Sequence, residues 1–389
     1  MQDNHKSAMR FIVLMGLVSL LADITYESAR SLAGPYLNIL GASAVIVGFA
    51  AGAGEFLGYG LRFFSGLLTD KTQAYWTITI IGYVVNMLAV PALALANQWP
   101  LAISLMIAER IGKAVRNPAR DAMLSSATWA VGRGWGFAIH EAMDQIGAMT
   151  GPIIVMIVLA VTKNSYKSAY AVLAIPALLA ISIVILSRII YPHPHKLEKN
   201  SSVSDDSRLP KVFWIYLAAV GLIAAGFADY PLVAFHIKQK AVFDDKWIPF
   251  LYAVAMGIDG VAALVFGRFY DRAGMLSLAT AIVISAFFAV FAFGSSIAAI
   301  AVGVCLWGIG MGAQESIIRA VVADMVPKSR RGTGYGIFNA GYGICWFLGS
   351  TIMGLLYDIS IPYLVVFSMA AQFASLPFLI LVKRKITKG

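Results

Sequence analysis

The apolar positions of this chain come in whole stretches of about twenty residues or more, separated by short polar turns. A helix of that length, rising 1.5 Å per residue, reaches across the roughly 30 Å hydrocarbon core of a bilayer. Twelve such spans are predicted, over 11–37, 43–68, 75–96, 99–117 with a helical extension, 134–161, 166–190, 211–237, 247–270, 276–294, 297–325, 333–357 and 361–382. The one long polar segment divides them six and six. The expected organisation is therefore a six-helix lobe over 1–190, a linker over 191–210 and a second six-helix lobe over 211–389.

The two halves repeat one another. Gly66, Asp70 and Lys71 close one apolar stretch with the same spacing as Gly267, Asp271 and Arg272 close another. Gly134 and Gly136 are matched by Gly334 and Gly336 at the start of a later stretch. A constant offset with six spans per half puts both lobes in the same orientation, related by a pseudo-two-fold axis along the membrane normal. Substrate is then expected near the midplane, where the repeats meet.

Composition supports lipid as the solvent: 59% of residues are apolar and 13% charged, with a mean hydropathy of +0.77. A soluble domain carries about 45–50% apolar and about 25% charged residues. The net charge of +10 is spread over the ends of apolar stretches, which argues against nucleic-acid binding. Lys6, Arg10, Lys71, Arg133, Arg268, Arg272, Lys383 and Arg384 fall on one side, against Lys163, Lys167, Lys238, Lys240 and Lys246 on the other. The positive-inside rule then places both termini in the cytoplasm. The charges in the first apolar run, Asp23, Glu27 and Arg30, make it a retained span rather than a cleaved signal. Cys305 and Cys345 lack metal-ligand spacing. No phosphate-cradling loop or hydrolase spacing is present, so neither an enzyme nor ATP-driven transport is expected, and no cofactor.

Charges within spans are costly and mark pathways or proton relays. Asp23 falls near the middle of the first span, and Glu27 and Arg30 follow at i+4 and i+7 on the same face. Arg110 lies near the middle of the fourth span; His140, Glu141 and Asp144 lie on the inner half of the fifth; Glu55 and Asp259 lie mid-span on the second and eighth. Asp23 and Glu27 are the candidate protonatable or substrate-binding groups, with Arg110 and Arg30 as counter-charges and Glu141 and Asp144 as further members. A carboxylate whose distance to an arginine changes between two states binds a proton in one and releases it in the other. In the second half, Tyr230, Trp307, Tyr335, Asn339, Tyr342 and Trp346 are candidates to shape a pocket.

Over nearly its whole length the chain resembles the major facilitator superfamily of secondary transporters. Gly66, Asp70 and Lys71 are similar to that family's cytoplasmic gating motif, although Thr72 to Tyr75 replace its usual glycine and basic pair. Arg110, Gly112 and Lys113 resemble its arginine motif linked to proton coupling, and Gly147, Gly151 and Pro152 its antiporter glycine-proline motif. The run from Glu109 to Asp121 resembles an uncharacterised bacterial subgroup. The resemblance implies an all-α fold of twelve spans in two lobes. It also implies a latch, in which Asp70 pairs with Arg120 and Asp271 with Arg319, while Gly66 and Gly267 allow close helix approach. Gly147, Gly151 and Pro152 are expected to pack and bend the fifth span against a neighbour in the other lobe.

The resulting expectation is a monomeric, proton-coupled antiporter of the bacterial cytoplasmic membrane that exports a small organic solute or drug. Two alternatives stand beside it. One is efflux of a divalent transition metal held by Asp23, Glu27, His140 and Asp144. The other is symport of an anionic metabolite, drawn by Arg30, Arg110, Lys113 and Arg116.

Overall fold

The computed structural model describes residues 2–131, 133–192, 209–326 and 331–388, all helix and turn without a strand among them. In chain order the helices are α1 (Gln2–Ile39), α2 (Ala44–Thr72), α3 (Tyr75–Ala92), α4 (Trp99–Val131), α5 (Arg133–Val161), α6 (Tyr166–Val172), α7 (Ala174–Ile190) and α8 (Lys211–Gly226). They continue as α9 (Tyr230–Lys240), α10 (Trp247–Ala273), α11 (Met275–Ser285), α12 (Phe288–Ala292), α13 (Ile297–Met325), α14 (Arg331–Ile359) and α15 (Ile361–Lys388). Most of the expected linker lies outside the described residues.

Among the described residues, eleven helical stretches are long and apolar enough to cross a membrane. The fourth expected span is not among them. Its helix α4 runs on to Val131, the helical extension expected beyond 117, and it carries Glu109, Arg110, Lys113 and Arg116 in its middle. Three other spans are broken. The sixth divides into α6 and α7 at Leu173, the ninth into α11 and α12, and the seventh into α8 and α9 with 227–229 unwound.

The break in the seventh span follows from its sequence. Pro231 has no N–H to offer the carbonyl one turn back, and Asp229 caps the new helix by accepting from the Tyr230 N–H at 2.9 Å. Hydrocarbon offers no water to the freed backbone groups, so side chains must satisfy them. The Gly226 carbonyl accepts from Ser368 Oγ at 2.6 Å and Gln372 Nε2 at 3.3 Å, and the Ala228 carbonyl from Trp307 Nε1 at 2.9 Å. The same logic holds inside α4. Pro118 cannot donate to the Ala114 carbonyl, and Ser65 Oγ of α2 donates to it at 2.8 Å instead.

The chain packs as two compact units, one of residues 1–32 and 57–202, the other of 33–56 and 203–389. Residues 33–39 at the end of α1 and the first part of α2 thus pack with the second half of the sequence. In the first unit α3 crosses α4 at close range. A Cβ at Gly112 would fall on the Asn86 backbone, and one at Gly82 on Arg116 and the Gly112 carbonyl. Small residues let the two backbones meet, which is how helices gain contact where lipid removes the hydrophobic drive.

Gly112→Ala is expected to force α3 and α4 apart at a cost of about 1–3 kcal/mol, read as a lower melting temperature in detergent. Gly60→Ala is the control: nothing lies within 4 Å of its Cβ position, so gain of helix propensity makes it neutral or stabilising by up to about 1 kcal/mol. Equal melting temperatures for the two variants would contradict the crossing.

Candidate functional site

The first unit gathers its buried charges where α1, α3, α4 and α5 meet. Asp23 is 5% exposed, and its Cβ stands where a side chain at Gly147 of α5 would have to go. One turn on, a Cβ at Gly151 would meet the Ile24 backbone and Ser28. The two glycines therefore bring α5 onto α1 at Asp23. This corrects the expectation that they pack the fifth span against the other half, since both partners belong to the same unit. α5 continues as helix through the buried Pro152.

Around Asp23 the electrostatic neighbours are Asp144 of α5, Lys113 of α4 and Glu27 of α1. Lys113 Nζ sits 3.6 Å above the Tyr26 ring, a cation–π contact that strengthens as water is excluded. Arg116 is only 1% exposed. Its guanidinium carbon lies 4.2 Å from the Tyr83 ring and 6.0 Å from that of Tyr26. Among the described residues its Nε and Nη1 have no hydrogen-bond partner. Asn86 Nδ2 donates to the Glu109 carbonyl at 2.9 Å and to Glu109 Oε1 at 2.8 Å, and the other Glu109 oxygen lies 3.4 Å from Arg110 Nε.

A second layer joins α1, α4 and α5. Arg120 donates to Ser19 Oγ at 3.1 Å and to Asp121 Oδ1 at 2.9 Å, and it lies within electrostatic range of Asp144. Asp144 Oδ2 is 3.4 Å from His140 Nδ1 at i+4 spacing. His140 Nε2 and Asp144 Oδ1 lack hydrogen-bond partners among the described residues. Asp23 and Asp144 are thus electrostatic neighbours, with Lys113 in range of the first and Arg120 of the second.

Most sequence candidates assemble here: Asp23, Glu27, Asp144 and His140 directly, Arg110 at the edge through Glu109, and Arg30 half-buried further along α1. Glu141 does not join them; it is exposed on α5. Asp70 and Lys71 are exposed at the end of α2, and Arg120 engages Ser19 and Asp121 rather than Asp70. Gly66 approaches Pro118 of α4, and Gly267 approaches Ser316 of α13. Asp271 and Arg272 are exposed, and the Arg319 side chain lies outside the described residues. Glu55 and Asp259 are buried in the second unit, Asp259 against Gly312. No group of three or more His, Cys, Asp or Glu close enough to hold a metal ion occurs among the described residues. The divalent-metal alternative thus finds no ligand set there.

Sequence reasoning missed Tyr26, Tyr83, Asn86 and Ser19. The uncharged groups gave one usable signal: Asn86 is an amide in the middle of an otherwise apolar span. In the second unit four of the expected aromatics, Tyr230, Trp307, Tyr342 and Trp346, pack in one buried cluster joined by Phe227. Phe227 lies 6.0 Å from Trp307 and 6.3 Å from Trp346, Tyr230 lies 5.8 Å from Trp307, and Tyr342 lies 5.4 Å from Trp346. Two open pockets, of about 790 and 450 Å³, lie away from both groups, at the α2–α3 turn beside Trp76 and Arg188 and between α11 and α15.

The sequence profile of the Major Facilitator Superfamily matches residues 13–350 and 234–387. An uncharacterised protein of Mycobacterium tuberculosis (strain ATCC 25618 / H37Rv) is 41% identical over 376 residues, 95% of this chain and 92% of its own length. The multidrug resistance protein MdtH of Photorhabdus laumondii is 30% identical over 120 residues, 31% of this chain and 29% of its own. A crystal structure of the nucleoside transporter NupG superposes with a TM-score of 0.75 at 14% identity, over 95% of this chain and 99% of that one. Profile, full-length relative and fold agree: this multi-pass membrane protein belongs to the major facilitator superfamily of transporters.

Proposed function

We propose that the chain is a proton-coupled antiporter that exports a small organic solute, with Asp23 and Asp144 as the proton-carrying pair. The observation that supports this most is their juxtaposition in a buried site between Lys113 and Arg120. Two carboxylates sharing one site do not both ionise freely, so one proton is held between them. A solute that brings positive charge to Asp23 would displace it. Lys113 over Tyr26 and Arg116 over Tyr83 supply cations that can swing toward or away from the pair. Export is supported by the antiporter-like Gly147, Gly151 and Pro152 and by the partial likeness to a multidrug resistance protein. The latch roles of Asp70 and Asp271, with Arg120 and Arg319, belong to a state in which these groups have moved together. The same reading places a monomer in the bacterial cytoplasmic membrane, both termini inside, as the basic residues at the span ends favour.

One observation favours a second reading. The two unpartnered donors of the buried Arg116 suit a carboxylate or phosphate, and would fit proton-linked uptake of an anionic metabolite.

The test begins with a thermal-shift panel at pH 6 and pH 8, using lipophilic cations, organic anions, sugars, siderophores and divalent metals. A ligand at about a hundred times its Kd stabilises the folded state by roughly 2.7 kcal/mol. An organic ligand whose shift depends on pH, with that dependence lost in Asp23→Asn, is the expected result. In proteoliposomes holding a pH dye, Asp23→Asn is expected to reduce ligand-driven proton movement at least about tenfold, a change of 1.4 kcal/mol. Unchanged proton movement in both Asp23→Asn and Asp144→Asn would refute the coupling assignment.

Arg116→Gln separates the two readings. Binding of an organic cation should survive it, whereas binding of an organic anion should weaken about tenfold or more through loss of a charge-assisted fork.

A further inference from the structure

The second unit contains a buried polar chain with no part in the Asp23 cluster. His236 of α9 is 1% exposed. Its Nε2 lies 3.0 Å from the Gly294 carbonyl and its Nδ1 2.9 Å from the Tyr357 hydroxyl of α14. That hydroxyl in turn donates to Gln239 Oε1 at 2.8 Å. The rings of Phe293 and Tyr357 pack edge-on against the imidazole, at 5.4 and 5.6 Å.

Counting protons along this chain is informative. A carbonyl only accepts, so Nε2 carries a hydrogen. A phenol has one proton, and here it goes to Gln239. Nδ1 must then supply its own hydrogen to the phenol oxygen, and an imidazole protonated at both nitrogens is a cation. In the neutral form the Tyr357 proton turns back to Nδ1, Gln239 Oε1 loses its donor, and the amide must turn over to offer N–H instead. The two bonding patterns differ by one proton.

The end of α14 carries the readout. Asp358 follows Tyr357, and its two oxygens accept from the backbone N–H groups of Ala44 at 3.2 Å and Val45 at 3.0 Å, in the first turn of α2. A carboxylate in that place satisfies orphan donors and suits the positive end of the helix. Gly354, one turn earlier, lies against the backbone of Ala44 and Val45, and Gly48 and Gly52 lie against Ser350 and Phe347. Tyr357, held from both sides by His236 and Gln239, fixes the turn that presents the cap.

We propose that His236 is a second proton-binding site, and that its protonated form holds the end of α14 in place as the cap on α2. The charges around it are few. Lys240 on α9 opposes the cation. Lys238 is paired with Asp245 and Lys246 with Asp244. On α14 the nearby groups are Tyr357 and Asp358, and the 288–296 segment bears no charge. Losing the proton exchanges the charge-assisted Nδ1–H bond to Tyr357 for a weaker neutral one and turns the Gln239 amide over, so the hold on the cap loosens and the contact of α2 with α14 weakens as pH rises through the His236 midpoint.

The experiment uses the full chain in lipid nanodiscs between pH 5 and pH 9. Histidine C2 hydrogen–deuterium exchange, read by peptide mass spectrometry, gives the His236 midpoint, and backbone exchange of 44–52 gives the state of the cap. The expected result is a His236 midpoint inside this range, with protection of 44–52 falling as pH rises through it. Tyr357→Phe removes the acceptor for Nδ1–H and should lower the midpoint by about half a pH unit or more. His236→Gln should make the protection of 44–52 independent of pH, while Asp358→Asn should lower it at every pH and leave His236 titrating. The proposal is overturned if wild-type His236 shows no midpoint in this range. Protection of 44–52 that does not follow pH would overturn it equally, and neither result needs a variant to fold.

Discussion

Everything in this structure answers to one constraint: a backbone immersed in hydrocarbon has no water to bond with. It explains why the described residues form helices and turns alone, and why the break in the seventh span and the proline in α4 coincide with side chains placed to repair them. The unwound 227–229 segment is tolerated because Trp307, Ser368 and Gln372 supply donors to its carbonyls. Those three side chains come from α13 and α15, so an irregularity in one helix is maintained by two others. The buried polar residues of the second unit are thereby partly accounted for by backbone repair.

The first unit uses small residues to a different end. Gly82 and Gly112 bring α3 and α4 close enough for Arg116 to lie on Tyr83 and for Asn86 to reach Glu109. Gly147 and Gly151 bring α5 onto α1, and Asp144 is carried to Asp23 with it. The charges are therefore held by backbone geometry rather than by flexible side chains spanning a gap. A charge in a dry site is expensive unless it is paired. Ring faces and amide groups share that compensation here with opposite charges, so no single ion pair neutralises the cluster.

How much of this was legible in the sequence follows from the range of each interaction. Spans and repeat are local patterns of twenty residues or so, and were readable from the apolar stretches and the motifs at Asp70 and Asp271. Asp23, Glu27 and Asp144 stood out because a carboxylate in an apolar stretch is unusual at any depth. Tyr26 and Tyr83 were not readable, since an aromatic at helical spacing has no mark that separates packing from cation–π contact. The partners of Gly147 and Gly151 were beyond reach because a small residue says that something approaches closely and not what. The pairing of Arg120 with Ser19 and Asp121, in place of Asp70, likewise depends on which helix faces which. The broken seventh span did carry a local sign, Asp229 and Pro231 side by side with Tyr230, the pattern of a helix starting afresh.

The hydrogen bond from Ser65 to the Ala114 carbonyl has a mechanical meaning. Pro118 leaves that carbonyl dependent on a group from another helix, so sliding α2 past α4 would strand it in a dry interior at roughly 1–3 kcal/mol. Across this contact the two helices travel as a single strut. A displacement of the α2 end that bears Asp70 is thus passed to α4 at Ala114, one residue from Lys113 and two from Arg116, and motion at the membrane edge becomes rearrangement of charge in the core.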